Sequence, residues 1–269
     1  MNQIPQIFNR EKVKLHRNRA AKNIDKYDFI IAEAGDEIMQ RLEDMQRNFY
    51  NILVIGCVSA KLLSDIKDKY KHAEILVQDI SYKLSAKADL SAVVADEEKN
   101  CFASQTFDLV VCNMTLHAVN DLPGSLIQIR SNLQKNGVFI GSIFGDETIS
   151  ELRQSITKAE SNYSDRAAVR VIPFADVKTL GSLLQRCGFE LPVADALRLK
   201  AAYADASELM TDIRGMGESN SLVKQSGGLN SGLVNEIDKC YKSDFSDGEG
   251  GIIATFDIIY LTGLAANDK

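Results

Sequence analysis

The sequence contains no apolar run that approaches the roughly 20 residues needed to cross a lipid bilayer. Residues 1–10 also lack the apolar core of a secretory signal peptide. Both absences argue against a chain that is secreted or that inserts into a membrane. We therefore expect no membrane insertion.

Closely spaced cysteines are missing as well. The five cysteines are Cys57, Cys101, Cys112, Cys187 and Cys240, and none lies near another in sequence. This spacing does not match a zinc site, and it favours reduced thiols over a disulfide framework. The cysteine pattern therefore predicts a cytoplasmic protein without a bound metal.

An excess of positive charge is also absent, because the 269 residues carry a formal net charge of -6. General binding to nucleic acid or to anionic membranes is expected of basic proteins, so the charge argues against both. The composition, with 45% hydrophobic and 25% charged residues, is ordinary for a globular protein with a sizeable core. The length fits one large domain or one domain with an insertion.

Short apolar runs alternate with helical patterns in the first half of the chain. We predict strands at residues 52–55, 75–78, 92–95, 107–112 and 137–143. The helical segments between them indicate βαβ units and a mostly parallel sheet.

The second half has a different pattern. Two late strands are predicted at residues 196–203 and 252–261, separated by helical and glycine-rich sequence. An insertion of this length near a sheet edge is typical of a lid or a binding loop. We therefore predict that residues 205–248 form a helical lid or a partner-binding insertion.

Three features follow successive predicted strands, at the edge where α/β sheets bind ligands. Gly56 ends the first strand, and its missing Cβ allows the backbone to approach a ligand. Asp79 lies 23 positions later (79 − 56), where a carboxylate can accept both ribose hydroxyls or else cap a turn or helix. Asp96 and Glu97 follow the third strand, either beside an adenine ring or in a solvated acidic loop.

Signals for phosphate binding are missing from the same edge. The dinucleotide pattern Gly-x-Gly-x-x-Gly would need glycines where Val58 and Lys61 stand, and no Walker A motif is present. A nucleoside cofactor without phosphates suits this sequence better.

Several polar and thiol side chains lie near the same edge. His117 is either a general base or a residue that orients a loop by hydrogen bonding. Asn113 and Asp121 are candidates for fixing loops. Cys57 and Cys112 are predicted to be small packing residues rather than nucleophiles, because no base is evident beside them.

The first 22 residues form a local basic arm within an acidic protein. Its basic residues are Arg10, Lys12, Lys14, Arg17, Arg19 and Lys22, against the single acid Glu11. Such an arm is a transit peptide, a solvated helix face, or a segment lying over an anionic ligand or partner.

Eight segments carry a family resemblance that covers nearly the whole chain. They are IFNR (7–10), HRNRAA (16–21), ADEE (95–98), FDLVV (107–111), LHAVNDLP (116–123), GVFIG (137–141), ELR (151–153) and GMGESN (215–220). With them the chain resembles class I S-adenosylmethionine-dependent methyltransferases. The resemblance is strongest to the methyltransferase-like assembly factors of respiratory complex I, which are related to the malonyl-carrier-protein methyltransferases of biotin synthesis. The hexapeptide at 215–220 is the most specific segment, because general methyltransferases do not share it.

The resemblance implies a single α/β domain over residues 1–269. Its sheet would be doubly wound, Rossmann-like and mostly parallel, with late antiparallel strands and a helical insertion. The basic arm and first helix would occupy residues 1–48, and a nucleoside-binding core would occupy residues 49–145. The arm would then belong to the body of the family rather than to a transit peptide.

The resemblance also implies S-adenosylmethionine as the cofactor. The implied cofactor-binding residues are Gly56, Cys57, Asp79, Ile80, Asp96, Glu97 and Asn113. His117 would take a proton, and Arg10, Arg17 or Arg19 would hold an anionic group of a protein or small carboxylate acceptor. In the mitochondrial branch, the family implies hydroxylation of an arginine on a complex I subunit.

The first loop departs from the family pattern Asp-Leu-Gly-Cys-Gly-x-Gly. Val54 replaces the acid, and Val58 and Ala60 replace the second and third glycines. Where positive φ is required, a non-glycine residue costs about 1–3 kcal/mol. Ala118 also replaces a tryptophan. Two hypotheses follow: a methyltransferase with a degenerate glycine loop, or an assembly scaffold that binds a partner through the basic arm and residues 205–248.

Overall fold

A computed structural model describes residues 5–56, 59–163, 169–224 and 227–265. Cys57 and Val58, two residues of the first loop that the sequence singles out, lie outside these described residues.

One sheet of seven strands runs through the described part of the chain. The strands are β1 Asn51–Ile55, β2 Glu74–Asp79, β3 Ser91–Val94, β4 Phe107–Asn113, β5 Leu133–Phe144, β6 Phe189–Tyr203 and β7 Ile252–Ala265. Their order is β3-β2-β1-β4-β5-β7-β6. The first five strands pair in parallel, whereas β7 is antiparallel to both β5 and β6. The predicted mostly parallel sheet with late antiparallel strands is therefore confirmed.

Helices precede, connect and cover these strands. They are α1 Arg10–Ala20, α2 Phe29–Asp44, α3 Ala60–Lys69, α4 Tyr82–Ser85, α5 Leu122–Asn132, α6 Ser150–Tyr163, α7 Val177–Arg186, α8 Ala206–Gly215 and α9 Ser231–Phe245. Short 3₁₀ turns occur at Ile24–Lys26 and Leu116–Ala118. Within the described residues, no helix is both long enough and apolar enough to span a membrane.

The central strands are apolar on both faces because the sheet has a core on each side. In β1, Ile52 and Val54 belong to one buried cluster, which includes residues of α2 and α3. Leu53 and Ile55 belong to the opposite cluster, which includes residues of α5 and α7. This alternation follows from the period of two in a strand. Val54, which stands where the family has an acid, is fully buried.

Two strands begin several residues earlier than the sequence pattern indicates. The fifth strand begins at Leu133 rather than at 137, and the sixth begins at Phe189 rather than at 196. The early part of β6 is exposed because β6 is the edge strand of the sheet, and its alternation is interrupted by Pro192 and by a register shift between Glu190 and Val193. Apolar periodicity therefore does not mark its start.

The segment 205–248 contains α8 and α9, and it packs onto the main body. Leu209 of α8, and Ile237 and Tyr241 of α9, are fully buried in the same cluster as Phe256 of β7. The segment 205–248 therefore forms part of the hydrophobic core and is not only a surface insertion.

Candidate functional site

Helix α1 lies across the carboxyl ends of β2 and β3. Asn9 caps its first turn, since the Asn9 side chain accepts a hydrogen bond from the Lys12 N–H. Val13 and Ala20 bury the apolar side of the helix. Arg17 lies on the buried side too, with 3% of the residue exposed, so its guanidinium must find a partner inside the protein.

That partner is Asp79, at the end of β2. Arg17 donates from Nε to Oδ1 of Asp79 (3.2 Å) and from Nη2 to Oδ2 (2.5 Å). The Ser81 N–H donates to Oδ1 as well, at 2.7 Å. Asp79 has no exposed surface. Burial alone would lower the pKa of Arg17, but the charge of Asp79 and its hydrogen bonds raise it. The carboxylate predicted to hold a ribose is therefore held by α1.

Arg10, at the start of α1, contacts the acids after β3. It donates from Nε and Nη2 to one oxygen of Asp96 (3.0 and 2.7 Å), and its Nη2 also contacts the Glu97 carboxylate. Its Nη1 donates to the carbonyl of Ala118 at 2.8 Å. Burial raises the pKa of Glu97, and the charges of Arg10 and Arg17 only partly oppose this. The acids expected near an adenine thus also face α1.

These pairs correct one interpretation of the basic arm. Arg10 and Arg17 do not lie on a solvated helix face, because their side chains are only 11% and 3% exposed. The charges that would otherwise be buried alone are neutralised by acids of the chain itself. Arg19 differs from both, since it is exposed on the last turn of α1 and forms no ion pair within the described residues.

The glycine turn after β1 packs against the end of β4. Gly56 has φ +101°, and a Cβ there would lie 2.6 Å from Thr115 Cγ2 and 2.7 Å from the Asn113 carbonyl oxygen. A side chain at position 56 is therefore disfavoured both by the positive φ and by the close contacts of its Cβ. Ala60 is the first residue of α3, whose cap is Ser59, so the cost expected for positive φ does not arise at Ala60.

Three further residues near this edge are engaged by the protein. Asn113 donates from Nδ2 to the Ile31 carbonyl (3.1 Å), and its Oδ1 accepts from Ser142 Oγ (2.8 Å). Ile80 is buried in a small apolar cluster. Cys112 is fully buried, and burial raises its pKa to about 12, which agrees with a packing role rather than a nucleophilic one.

His117 is paired with Glu218, which lies 101 residues later in the chain. The distance between His117 Nε2 and Glu218 Oε2 is 2.7 Å, and the two side chains are 2% and 13% exposed. Burial alone would raise the pKa of Glu218, but the charge and hydrogen bond of His117, together with the Arg17 charge, bring it below its ordinary value. Glu218 is therefore ionised at neutral pH. The other ring nitrogen of His117, Nδ1, is buried without a hydrogen-bond partner in the described structure.

The hexapeptide 215–220 reaches this position because two glycines allow it to approach the N-terminal region closely. A Cβ on Gly215 would lie 2.2 Å from the Tyr27 ring. Gly217 has φ +86°, and a Cβ there would lie 3.2 Å from Ala20 Cβ. Beyond them, the Ser219 carbonyl lies 3.2 Å from His16 Nδ1. The glycines thus bring Glu218 to His117.

Glu218 lies in the wall of a cavity of about 170 Å³. Much of the remaining wall is apolar and includes Phe144, Phe174, Phe256, Met210 and Ile213. The ring centroids of Phe144 lie 5.7 Å from Phe174 and 6.4 Å from Phe256. His117 supports this wall from behind, with its ring 4.9 Å from that of Phe144.

The cavity suits one cationic side chain. It is smaller than the roughly 300–1,000 Å³ of pockets for drug-sized ligands. Aromatic faces attract cations, and the ionised Glu218 carboxylate adds a negative charge to this wall beside its contact with His117. Arg170 and Arg214 also line the cavity. The Arg170 guanidinium donates to Glu160 (2.6 Å) and to the Gly227 carbonyl (2.7 Å), while Arg214 is exposed and lines a neighbouring cleft as well. The sequence singles out the hexapeptide, but no local signal shows that Glu218 and the phenylalanines share one cavity.

Comparisons with known proteins agree with this architecture. Residues 15–192 match the family described as "Methyltransferase domain". The chain is 36% identical over 270 residues to "Arginine-hydroxylase NDUFAF5, mitochondrial" of Mus musculus, covering 98% of this chain and 78% of the relative. The Homo sapiens protein of the same name is 34% identical over 263 residues, with 96% and 76% covered. A "Malonyl-[acyl-carrier protein] O-methyltransferase" of Methylovorus sp. (strain MP688) is 25% identical over 269 residues, with 94% and 88% covered.

Solved structures show the same fold. A putative methyltransferase from Bacillus halodurans superposes with a TM-score of 0.59 at 12% identity, covering 85% of this chain and 99% of that one. The phosphoethanolamine N-methyltransferase 2 of Haemonchus contortus, solved with S-adenosylhomocysteine, gives a TM-score of 0.58 at 12% identity, covering 95% and 61%.

Proposed function

Because the chain belongs to the methyltransferase family, and within it to the family of the arginine-hydroxylase NDUFAF5, we propose that it acts on an arginine side chain of a partner protein during assembly of respiratory complex I. The name of the relatives supports arginine as the target, and the sequence resemblance supports the link to complex I. The observation that carries the proposal is the aromatic cavity with the ionised Glu218 in its wall.

In this proposal Glu218 pairs with the guanidinium of the partner's arginine, while the phenylalanine rings surround its stem. His117 is a positioning residue, since it holds Glu218 in place through Nε2. A direct role of His117 as proton acceptor stays a prediction. Met210 and Ile213 bring the insertion 205–248 into the cavity wall, which supports its proposed role as a partner-binding segment.

S-adenosylmethionine is the cofactor that the family implies, and we propose the carboxyl edge of the sheet as its site. The residue types at this edge suit a nucleoside, with a glycine turn at Gly56 and hydrogen-bond-accepting acids after β2 and β3. The described arrangement does not accommodate a ribose, however, because Asp79 is fully buried and both of its oxygens accept from Arg17. Cofactor binding here requires Arg17 to release Asp79.

The arginine proposal is tested by calorimetric titration with three small probes: N-acetyl-arginine amide and the corresponding lysine and citrulline compounds. We expect the arginine compound to bind best, and the neutral citrulline compound to bind weakly or not at all. Loss of a hydrogen bond to a charged group costs about 1.5–3 kcal/mol, so Glu218→Gln should weaken arginine binding by about tenfold or more.

The matched control is Glu190→Gln, which removes an exposed acid on the edge strand β6. This control should bind the arginine compound as the parent protein does. Equal affinity for arginine and citrulline, or full affinity in Glu218→Gln, would show that the cavity does not recognise a cation.

A second candidate function is an assembly scaffold without methyl transfer, and the Arg17–Asp79 pair favours it. Titration with S-adenosylmethionine and S-adenosylhomocysteine separates the two. Micromolar binding that Asp79→Ala abolishes supports the cofactor site. Absence of binding at millimolar ligand supports the scaffold and leaves the arginine test unaffected. The cytoplasmic location expected from the cysteines stays a prediction, while the NDUFAF5 relatives are named as mitochondrial.

A further inference from the structure

A second cleft lies beside the C-terminal ends of α1 and α8 and shares Arg214 and Ser219 with the wall of the aromatic cavity. Its volume is about 440 Å³, and its wall contains Arg19, Arg214 and His16 but no acidic residue among the described residues that line it. In a chain with a net charge of -6, this concentration of positive charge without a lining carboxylate is a local exception.

The two arginines of this cleft are unpaired within the described part of the chain. Neither Arg19 nor Arg214 makes an ion pair or a side-chain hydrogen bond there, and both are exposed. Arg10, Arg17 and Arg170, by contrast, are all engaged by carboxylates. The guanidinium groups of the cleft therefore have their donors available to a ligand.

The positions of both arginines at helix ends offer a purely structural reason for them. Both occupy the last turn of a helix, where a positive charge offsets the partial negative charge of the helix end. Arg186 has the same position on α7 but lines none of the described clefts. The helix-end effect explains one arginine at a time, and it does not explain why two of them share one cleft.

The rest of the cleft is built from neutral groups that are held in place. Ser219 lies in its wall, and the Ser219 carbonyl is 3.2 Å from His16 Nδ1. Burial and the Arg19 charge keep the pKa of His16 below its ordinary value of 6.5, so the imidazole is neutral at pH 7 and Nδ1–H donates to that carbonyl. The Tyr27 ring forms another part of the wall, against Gly215.

We propose that this cleft binds a small phosphate monoester, with Arg19 and Arg214 as its two anchors. Guanidinium groups match the oxygens of a phosphate with paired N–H donors, and two of them balance a doubly charged group. The volume lies within the range of small-molecule sites, so the cleft has room for the organic part of the ligand as well as for the phosphate. This inference does not depend on the arginine-binding proposal.

The test is calorimetric titration of the full chain, in low-salt buffer, with phenyl phosphate, inorganic phosphate and malonate. We expect phenyl phosphate to bind most tightly. Arg19→Ala and Arg214→Ala should each weaken it by tenfold or more, and the double variant should show no binding. Arg19→Lys should be intermediate, because lysine keeps the charge but loses the paired donors.

Arg186→Ala is the matched control, since it removes an exposed arginine from the last turn of α7 without touching the cleft. It should bind phenyl phosphate as the parent protein does. Circular dichroism and the thermal midpoint verify that each variant is folded. The proposal is overturned if the double variant binds normally, if Arg186→Ala loses as much affinity as the cleft variants, if malonate binds better than both phosphates, or if no probe binds.

Discussion

Arg17 and Asp79 form a fully desolvated ion pair at the end of β2. Such a pair repays the cost of removing two charges from water only when its geometry is good, and here two N–H groups of Arg17 reach the two oxygens of Asp79. Removing one partner leaves the other charge buried without compensation. Removing one partner is therefore expected to cost more free energy of unfolding than the intact pair contributes in net terms.

We expect Arg17→Met to lower the free energy of unfolding by about 3–5 kcal/mol, the usual cost of breaking a buried pair. The double variant Arg17→Met with Asp79→Asn should lose much less, because no charge is then left unpaired. Urea unfolding of the single and double variants measures the coupling. If the double variant loses as much stability as Arg17→Met and Asp79→Asn do together, the two side chains are not energetically coupled.

The Glu218 carboxylate makes stability depend on pH. Because its folded pKa lies below the ordinary value of 4.5, it binds protons less readily in the folded state than in the unfolded state. Its contribution is complete above that ordinary value and is lost as the pH falls through the folded pKa. We expect Glu218→Gln to flatten the acid limb of the stability profile, measured by urea unfolding from pH 7 down to pH 3.

The control for this profile is Glu190→Gln, on the exposed edge strand, which should leave the acid limb unchanged. An acid limb of equal slope in Glu218→Gln and in the parent protein would show that Glu218 is not stabilised as an anion by its surroundings.

At the scale of elements, the hexapeptide 215–220 packs the end of α8 against the N-terminal region, and we call this contact the clasp. Gly215 faces the Tyr27 ring, and Gly217 faces α1 at Ala20. The family signature thus has a physical reason, because any larger residue at either position would push the clasp away from the N-terminal region. The same displacement would carry Glu218 away from His117.

We expect Gly215→Ala to lower the free energy of unfolding by about 1–3 kcal/mol, although alanine is the better helix former, since its Cβ would clash with the Tyr27 ring. Gly227→Ala is the matched control, because a Cβ there has nothing within 4 Å. It should change stability by less than about 0.5 kcal/mol. A stable Gly215→Ala protein would mean that Tyr27 moves aside without cost.

Helices and strands with a clear apolar periodicity could be predicted from the sequence. Those whose bounds or buried face depend on tertiary contacts could not. The run at β1 is apolar because both of its faces are covered, and this leaves a clear local signal. The start of β6 gives no such signal, because it lies on the exposed edge of the sheet and Pro192 and a register shift interrupt its alternation. The charge pattern of α1 left a helix as one of three alternatives, and it could not show which side of that helix would be buried.

At the scale of the whole molecule, the candidate site depends on contacts that no local pattern records. Asp79 could be singled out from its place after a strand, but its partner Arg17 lies 62 residues earlier in sequence. Glu218 and His117 are 101 residues apart. Sequence position gives the strand ends, while tertiary packing decides whether their acids face a ligand or another side chain.

Arg214 and Ser219 line both the aromatic cavity and the basic cleft, so one stretch of backbone serves as the partition between two compartments. Two binding equilibria on one protein obey reciprocity: if a ligand at one site changes the affinity of the other site by some factor, the second ligand changes the affinity of the first site by the same factor. Because the two sites share this wall, we expect a phosphate monoester in the cleft and an arginine side chain in the cavity to alter each other's affinity by one common factor.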